Sequence, residues 1–391
     1  MHNLPSRDCY DVLIIGAGPA GLNAGMHLKG TSGLSVLLVD KITPWEKPIP
    51  CAEGVGRLGF EEALTVDRNW IRQEISKAVF HSPDGSSITY TDKNKGYIID
   101  RAKMQGDLAA RLQSKGVECI YGSKVTDVGP YQNGIRTAKL DGRTEVKARI
   151  IIDASGPVGL LGRNEQICWK PYDLEPAYFV VATNVEIDQD AVQIHAGQRV
   201  APGGYAWVFP RGRDAANIGI VLSSRCVKQG NIKVLLNDFL QRHYPQAKIE
   251  SSFAGAIPCG YQRKTIAVPG LIKCGDAANA INPISRAGIV EALMSGGLAG
   301  DHAQKMLGAE NEKQISRICR DYEKAWYEKR GARHLKLSKV KHSLAKVPDE
   351  DYNRAAQSLQ SLDPREVTMS RIFRTSLGRF PRLVWALRHL M

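Results

Sequence analysis

"YDVLIIGAGPAGLNAGMHLKG", residues 10–30, decides the fold. A short apolar strand runs into Gly16-x-Gly18-x-x-Gly21, and a helical pattern follows. Gly16 permits a tight turn, Gly18 lets the backbone approach a pyrophosphate, and Gly21 lets helix and strand pack closely. The free N–H groups and partial positive charge at the helix start favour phosphate. A second strand, "SVLLVD", ends at Asp40, nineteen residues after Gly21, where a carboxylate can accept hydrogen bonds from ribose hydroxyls. Three glycines alone are a weak signal. With strand, helix and acid in register, they predict a Rossmann-type α/β domain that binds a dinucleotide.

A distant stretch selects the dinucleotide. "GLIKCGDAANAINPISRAGIVEALMSGGLAG" (270–300) is again a strand leading to a helix, with Gly275 and Asp276 at the strand end. There the carboxylate could reach a ribityl chain. A helix starting near Ser285 would aim its positive end at a flavin ring, whose reduced form is negative around N1. No second GxGxxG is present for a nicotinamide dinucleotide, so the pair of motifs implies FAD extended across one domain. Between them, "GYIIDRAKMQGDLAARLQSKGVECIYGSKVTDV" places Arg101 at the head of a helix, either facing the cofactor or in a surface salt bridge. "ARIIIDASG" (148–156) is a third strand and turn, ending at Gly156.

Composition narrows the class. A chain of 391 residues has room for more than one domain. Its eight cysteines are scattered with no C-x-x-C, which reads as free thiols, with no metal site and no iron–sulfur centre. The N-terminus lacks a secretory pattern, and no window approaches the ~20 apolar residues of a membrane-spanning helix, so a cytoplasmic protein is expected. The net charge of +13 comes without a nucleic-acid-binding signature, so no nucleic acid partner is expected. Basic residues gather late, in "EKRGARHLKLSKVKHSLAK" (328–346) and at Arg371, Arg374, Arg379, Arg382 and Arg388. Leu337, Val340, Leu344 and Val347 form a stripe at helical spacing. It suits an anionic membrane surface at the inner membrane face, or equally the protein's own core with lysines in water.

"PGGYAWVFP" (202–210) carries Tyr205, Trp207 and Phe209 at alternating positions, which share one face of a strand. Such a face either fills a core or walls an apolar ligand. Cys51, in "PIPCAEGVG" (48–56), reads on its own as a small buried thiol.

In this order, GAGPAG, "PIPCAEGVG", "GYIIDR", "IIDASG", P-x-x-Y-x-W-x-F-P and "GDAANAINPISRAGI", the motifs resemble the geranylgeranyl reductase family of FAD-dependent oxidoreductases. That family lies within the p-hydroxybenzoate-hydroxylase-like fold group. The resemblance spans roughly residues 8–330 and is nearest to the archaeal-type enzymes that saturate digeranylgeranyl glycerophospholipids. It implies that Tyr205, Trp207 and Phe209 line a cavity for a polyprenyl chain and that Cys51 lies near the flavin, with Glu53 as its neighbour. Isolated alkenes accept hydride poorly, so positive charge must build on the more substituted carbon. Aromatic faces stabilise such charge by roughly 1–2 kcal/mol each when desolvated. A protonated thiol is also a proton donor at neutral pH.

The catalytic set implied is Cys51, Tyr205 and Trp207. The cofactor set is Gly16, Gly18, Ala20, Gly21, Asp40, Lys41, Cys51, Ala52, Arg101, Val125, Gly156, Gly275, Asp276, Arg286, Gly288 and Ile289. One departure stands out: the family usually has small residues, often T-G-G, where this chain has Ser285-Arg286-Ala287. Arg286 is expected to stabilise reduced flavin, reach a substrate phosphate or narrow the site.

The expected architecture is an FAD domain from 1–68, 96–165 and 260–330. A second, antiparallel-sheet substrate domain comes from 69–95 and 166–259, and a basic helical region from 331–391. "VFHSPDGSSITYT" reads as a hairpin turning at Asp84-Gly85. The expected function is reduction of prenyl double bonds on a lipid, quinone or pigment precursor. An external electron donor, NADPH or a ferredoxin-type protein, and a peripheral membrane surface would be partners. The rivals are an FAD-dependent aromatic hydroxylase of the same fold and a membrane-docked electron carrier to quinone.

Overall fold

The computed structural model describes residues 4–28, 33–46, 49–157 and 173–360. Its first sheet is built on β1 (Cys9–Ile15), flanked by β2 (Val36–Asp40) and β9 (Thr144–Asp153), all parallel. β6 (Glu118–Tyr121) extends it beyond β2, and β16 (Leu271–Lys273) and β15 (Ala267–Val268) beyond β9. β1 is apolar and buried from Val12 to Ile15 because both its faces are covered there. Val12 and Ile14 pack toward helices α1 (Pro19–His27), α3 (Arg101–Ser114) and α5 (Ile289–Leu307). Leu13 and Ile15 pack on the opposite side, under β7 (Val125–Val128) and β8 (Arg136–Leu140), which continue antiparallel from β9. Helices, parallel sheet and β-meander form three layers.

A second sheet has the order β14-β10-β13-β12-β11-β4-β5-β3. Its strands are β14 (Lys248–Pro258), β10 (Leu174–Thr183), β13 (Ala216–Val221), β12 (Tyr205–Pro210), β11 (Ala191–His195), β4 (Ile71–His81), β5 (Ser87–Ile99) and β3 (Gly54–Gly56). The predicted hairpin is β4–β5, turning with Gly85 at φ 89°. The expected boundary at residue 68 cuts across a pairing: β3 lies within 1–68 yet joins this second sheet through β5. That pairing carries the cysteine segment, which immediately precedes β3, to the sheet that holds the aromatics.

β12 shows why the alternation matters. Ala206 and Val208 face a core closed by α4 (Ile232–His243), through Leu236, Phe239 and Leu240. Trp207 joins Ala177, Phe179 and Val221 on the other face, with Tyr205, Phe209, Phe253 and Ala52 packed against them.

The C-terminal helices are α6 (Glu312–Trp326), a π-turn over Tyr327–Gly331, α7 (Ala332–Leu344) and α8 (Asp349–Gln360). The apolar stripe takes the inward alternative. Leu337, Val340 and Val347 are buried and Leu344 half-buried, so the membrane reading of 328–346 loses its exposed stripe. The five arginines from Arg371 to Arg388 lie outside the described residues. Among the described residues no helix is long and apolar enough to cross a membrane.

Candidate active site

Gly16, at φ 104°, turns so tightly that a Cβ would sit 2.3 Å from the Ala154 carbonyl oxygen. A Cβ on Gly21 would lie 1.9 Å from the Gly16 carbonyl oxygen, which fixes the helix-to-loop approach. Beside Gly18, by contrast, no heavy atom lies within 4 Å of a Cβ position. The N-terminus of α1 has no side-chain cap and carries Pro19 in its first turn. Space, unpaired N–H groups and dipole therefore coincide, which fits a pyrophosphate. Gly156, at φ 84°, likewise has open space beside its Cα.

Asp40 spends its carboxylate on the loop itself. Oδ2 accepts the Ala17 N–H at 2.7 Å and Oδ1 accepts the Ile42 N–H at 3.1 Å. Burial raises its pKa against those hydrogen bonds. Ribose could be met only by the remaining lone pairs. Lys41 is exposed beside it, and Val125 points into the core under the parallel sheet.

Arg101 heads α3 as expected, and its backbone N–H donates to Glu53 at 3.2 Å. Its Nε donates to Gln105 Oε1 at 2.8 Å, and Gln105 Nε2 reaches the Ala17 carbonyl at 3.5 Å. Gln105, buried in a helix of ordinary polarity, is a residue that sequence reasoning missed. Asp276 lies in the turn Gly275–Ala278, and burial pushes its carboxyl up to about 6, opposed by the Arg101 charge. Gly275, at φ 59°, brings this turn against α1, where a Cβ would sit 2.8 Å from Ala20 Cβ.

The helix expected near Ser285 begins four residues later, at Ile289. Asn282 explains the delay, because its Oδ1 accepts the N–H groups of Ile284 and Ser285 at 3.0 and 3.1 Å. That local bonding competes with helix formation. Gly288 then precedes α5 with no side-chain cap, leaving the first-turn N–H groups free toward Asp276.

Arg286 is engaged within the protein, its side chain 7% exposed. It occupies the left-handed region at φ 57°, and its Nε donates to Glu175 at 2.7 Å. Its guanidinium carbon lies 4.9 Å from the Tyr205 ring centroid. Glu175 is also held by Lys341 of α7, whose Nζ lies 2.8 Å from Glu175 and 2.7 Å from Asp173. Burial alone would raise Asp173, yet the Lys341 and Ser224 hydrogen bonds hold it below the ordinary carboxylate range. Arg286 is thus neutralised inside a buried network, so its charge is spent.

The same stacking bears on Tyr205. One ring face is already engaged by Arg286, and its hydroxyl donates to the Ser285 carbonyl at 2.6 Å. Burial pushes the phenol up to about 12. Trp207 instead packs with Phe179, centroids 6.0 Å apart, and Phe179 stacks on Phe253 at 5.0 Å. Gly219 makes room for it, since a Cβ there would lie 2.3 Å from the indole.

Cys51 is tied to this wall through Asn217, another residue missed from sequence. Trp207 Nε1 donates to Asn217 Oδ1 at 2.8 Å, and Asn217 Nδ2 donates to the Cys51 carbonyl at 2.9 Å. The Cys51 sulfur accepts the Glu53 N–H at 3.3 Å. Glu53, at φ 63°, pairs with Arg211, and burial raises its pKa against that charge. Phe209 closes the stretch, packing where a Cβ on Gly54 would lie 2.8 Å from its ring. The 270–300 segment, the cysteine segment and the aromatic wall thus meet through Tyr205–Ser285 on one side and Trp207–Asn217–Cys51 on the other. Among the described residues no cluster of three His, Cys, Asp or Glu could hold a metal.

Two family models match the chain, the geranylgeranyl reductase catalytic domain over residues 173–256 and the lycopene cyclase protein over residues 11–171. The chain is 32% identical over 393 residues to a digeranylgeranylglycerophospholipid reductase of Methanococcoides burtonii, covering 98% of this chain and 96% of that one. The corresponding reductase of Methanosarcina mazei is 31% identical over 398 residues, with 98% and 97% covered. Among solved structures, a geranylgeranyl bacteriochlorophyll reductase-like protein from Thermoplasma acidophilum superposes with a TM-score of 0.87 at 26% identity, covering 98% of this chain and 100% of that one. A flavin-dependent brominase, at 19% identity and a TM-score of 0.68, shares the fold.

Proposed function

The chain belongs to the geranylgeranyl reductase family, and from that membership we infer an FAD-dependent reductase that saturates carbon–carbon double bonds of a prenyl chain. Its relatives are named for digeranylgeranylglycerophospholipids, and we take a prenylated glycerophospholipid of that kind as the substrate. The reading is supported most by one contact: Asn217 joins the Trp207 indole to the Cys51 backbone, tying the aromatic face to the cysteine segment.

Bound FAD, once reduced by an external donor, supplies the hydride. The chain's own residues would do the rest. The Gly16–Gly21 loop and the start of α1 would take the pyrophosphate, and the turn at Asp276 with the start of α5 would take the ribityl and ring end. Trp207, Phe179 and Phe253 would form the apolar wall, keeping water from the alkene and favouring positive charge in front of their rings. Cys51 would hold a proton at Sγ, its backbone fixed by Asn217. Arg286 and Tyr205, stacked on one another, would narrow the mouth.

The test is direct. Chemically reduced protein is incubated under nitrogen with a geranylgeranyl glycerophospholipid, and the product is weighed. A gain of about two mass units per double bond is expected. Unchanged lipid, with flavin reoxidised rapidly by added quinone, would remove the reading in favour of an electron carrier.

A further inference from the structure

A glycerophospholipid carries an anionic phosphate, and the cations nearest Tyr205 are not free to meet it. Arg286 and Lys341 are both committed to buried carboxylates. Free cations occur at the start of β12. There a cavity of about 350 Å³ is lined by Gln198, Arg225, Cys226, His342, Lys346 and Val347, among others. Among the described residues, Arg225 and Lys346 form no ion pair, while burial and the Arg225 charge hold His342 toward its neutral form. The two neighbouring acids are occupied: Asp173 holds Lys341 and the Ser224 hydroxyl, and Asp349 accepts the Gln198 N–H. Two cations on one concavity, neither of them in an ion pair, attract an anion.

The floor of this cavity is fixed. Gln198 Nε2 donates to the carbonyls of Ala345 and Val347 at 3.1 and 3.2 Å, and its Oε1 accepts the Gly203 N–H at 3.3 Å. Gly203, at φ 65°, approaches so closely that a Cβ would sit 3.1 Å from Cys226 Sγ and 3.3 Å from Ala345 Cβ. Two residues later β12 begins, and its aromatic face runs away from the cavity through Tyr205 and Trp207 to Phe209, which packs on Gly54 beside the cysteine segment. From Gly203 to Phe209 an extended strand spans about 20 Å. A basic cavity stands at one end of an apolar strip, with the cysteine segment at the other.

We propose that this cavity holds the phosphate head group of the lipid while its prenyl chain lies along the aromatic face of β12. The proposal rests on the prenyl-reductase reading, and binding without turnover separates the two. Oxidised holoprotein, with no electron donor, is titrated calorimetrically with geranylgeranyl phosphate, geranylgeraniol and inorganic phosphate. The phosphorylated lipid should bind at least about tenfold tighter than the alcohol, a preference that shrinks with salt. Arg225→Glu and Lys346→Glu should each remove most of that preference and leave geranylgeraniol within about twofold of wild type. Arg225 and Lys346 are both exposed, so the two reversals test the site independently of the fold; flavin absorbance per protein monitors both.

Retention of the full preference in a folded variant overturns the head-group site. So does inorganic phosphate that binds as tightly as the lipid, which would mark a free-phosphate site. If wild type prefers the phosphorylated lipid, loses that preference in the variants, and yet reduces neither compound, the site stands and the reductase reading fails. If it reduces both and binds them equally, the reductase reading stands and the site fails.

Discussion

Lys341→Met keeps the side-chain length and deletes the charge at the centre of the buried network. The side chain is 4% exposed, and its ammonium reaches Asp173, Glu175 and the Cys259 carbonyl at 2.7, 2.8 and 3.2 Å. Removing one member of a buried ion pair strands its partner and typically costs ~3–5 kcal/mol. Glu175 would keep Arg286 at 2.7 Å, and Asp173 would keep the Ser224 hydroxyl, so the loss should fall near the lower end, about 3 kcal/mol. Unfolding of the holoprotein by urea, followed by circular dichroism and flavin fluorescence together, measures it. Glu175→Gln added to Lys341→Met removes the stranded charge, so the double variant should be less destabilised than the sum of the single ones. Lys341→Met within about 0.5 kcal/mol of wild type would refute the reasoning, as would a double-mutant cycle that closes at zero.

Three further outcomes are expected. Gly18→Ala should leave the apoprotein's melting temperature unchanged but weaken FAD binding, because its Cβ enters only the open space before the loop; Gly21→Ala should destabilise the apoprotein itself, its Cβ landing 1.9 Å from a carbonyl oxygen. Equal melting temperatures for the two apoproteins would contradict the packing described. Cys51→Ala should bind FAD normally and lose turnover, read by flavin absorbance and lipid mass; undiminished turnover would reduce the thiol to packing. His195, buried against His81 and His243, has its pKa driven down from 6.5 to about 3 by burial and then by those rings. Its neutral form is the one the fold accepts, so stability is full above pH 6.5 and falls as pH drops toward 3. At pH 5 the cost is about 2 kcal/mol, from 1.5 units at ~1.36 kcal/mol each, and His195→Phe should shrink the pH 7-to-5 loss by that amount.

What the sequence revealed and what it hid divide along a physical line. Gly16, Gly18 and Gly21 are legible because their constraint is local: each backbone needs a conformation or a clearance that only glycine supplies. The aromatic face of β12 is legible because a strand alternates with period two whatever surrounds it. The Arg286–Glu175 bond spans 111 residues and the Asn217–Cys51 bond 166, and no periodicity encodes such pairings. The helix at Ile289 was misplaced by four residues because one side chain, Asn282, captures two N–H groups before it.

A trace of the hidden part was nevertheless present. An apolar stripe at helical spacing is silent about whether water, lipid or protein covers it, and Leu337, Val340 and Leu344 fit all three. Lys341 stands four residues from Leu337 and adjoins Val340, so it shares the stripe's face. A lysine there must either stretch its ammonium to an aqueous boundary or find a carboxylate inside. Glu175 is the second residue of an apolar strand, "LEPAYFVVAT", an acid at a position whose alternation calls for burial. A cation and an anion, each misplaced by the hydrophobic pattern of its own element, are the sequence signature of a partner across the fold. Their meeting is what brings α7 down beside Arg286 and Tyr205, and it is why the stripe faces protein.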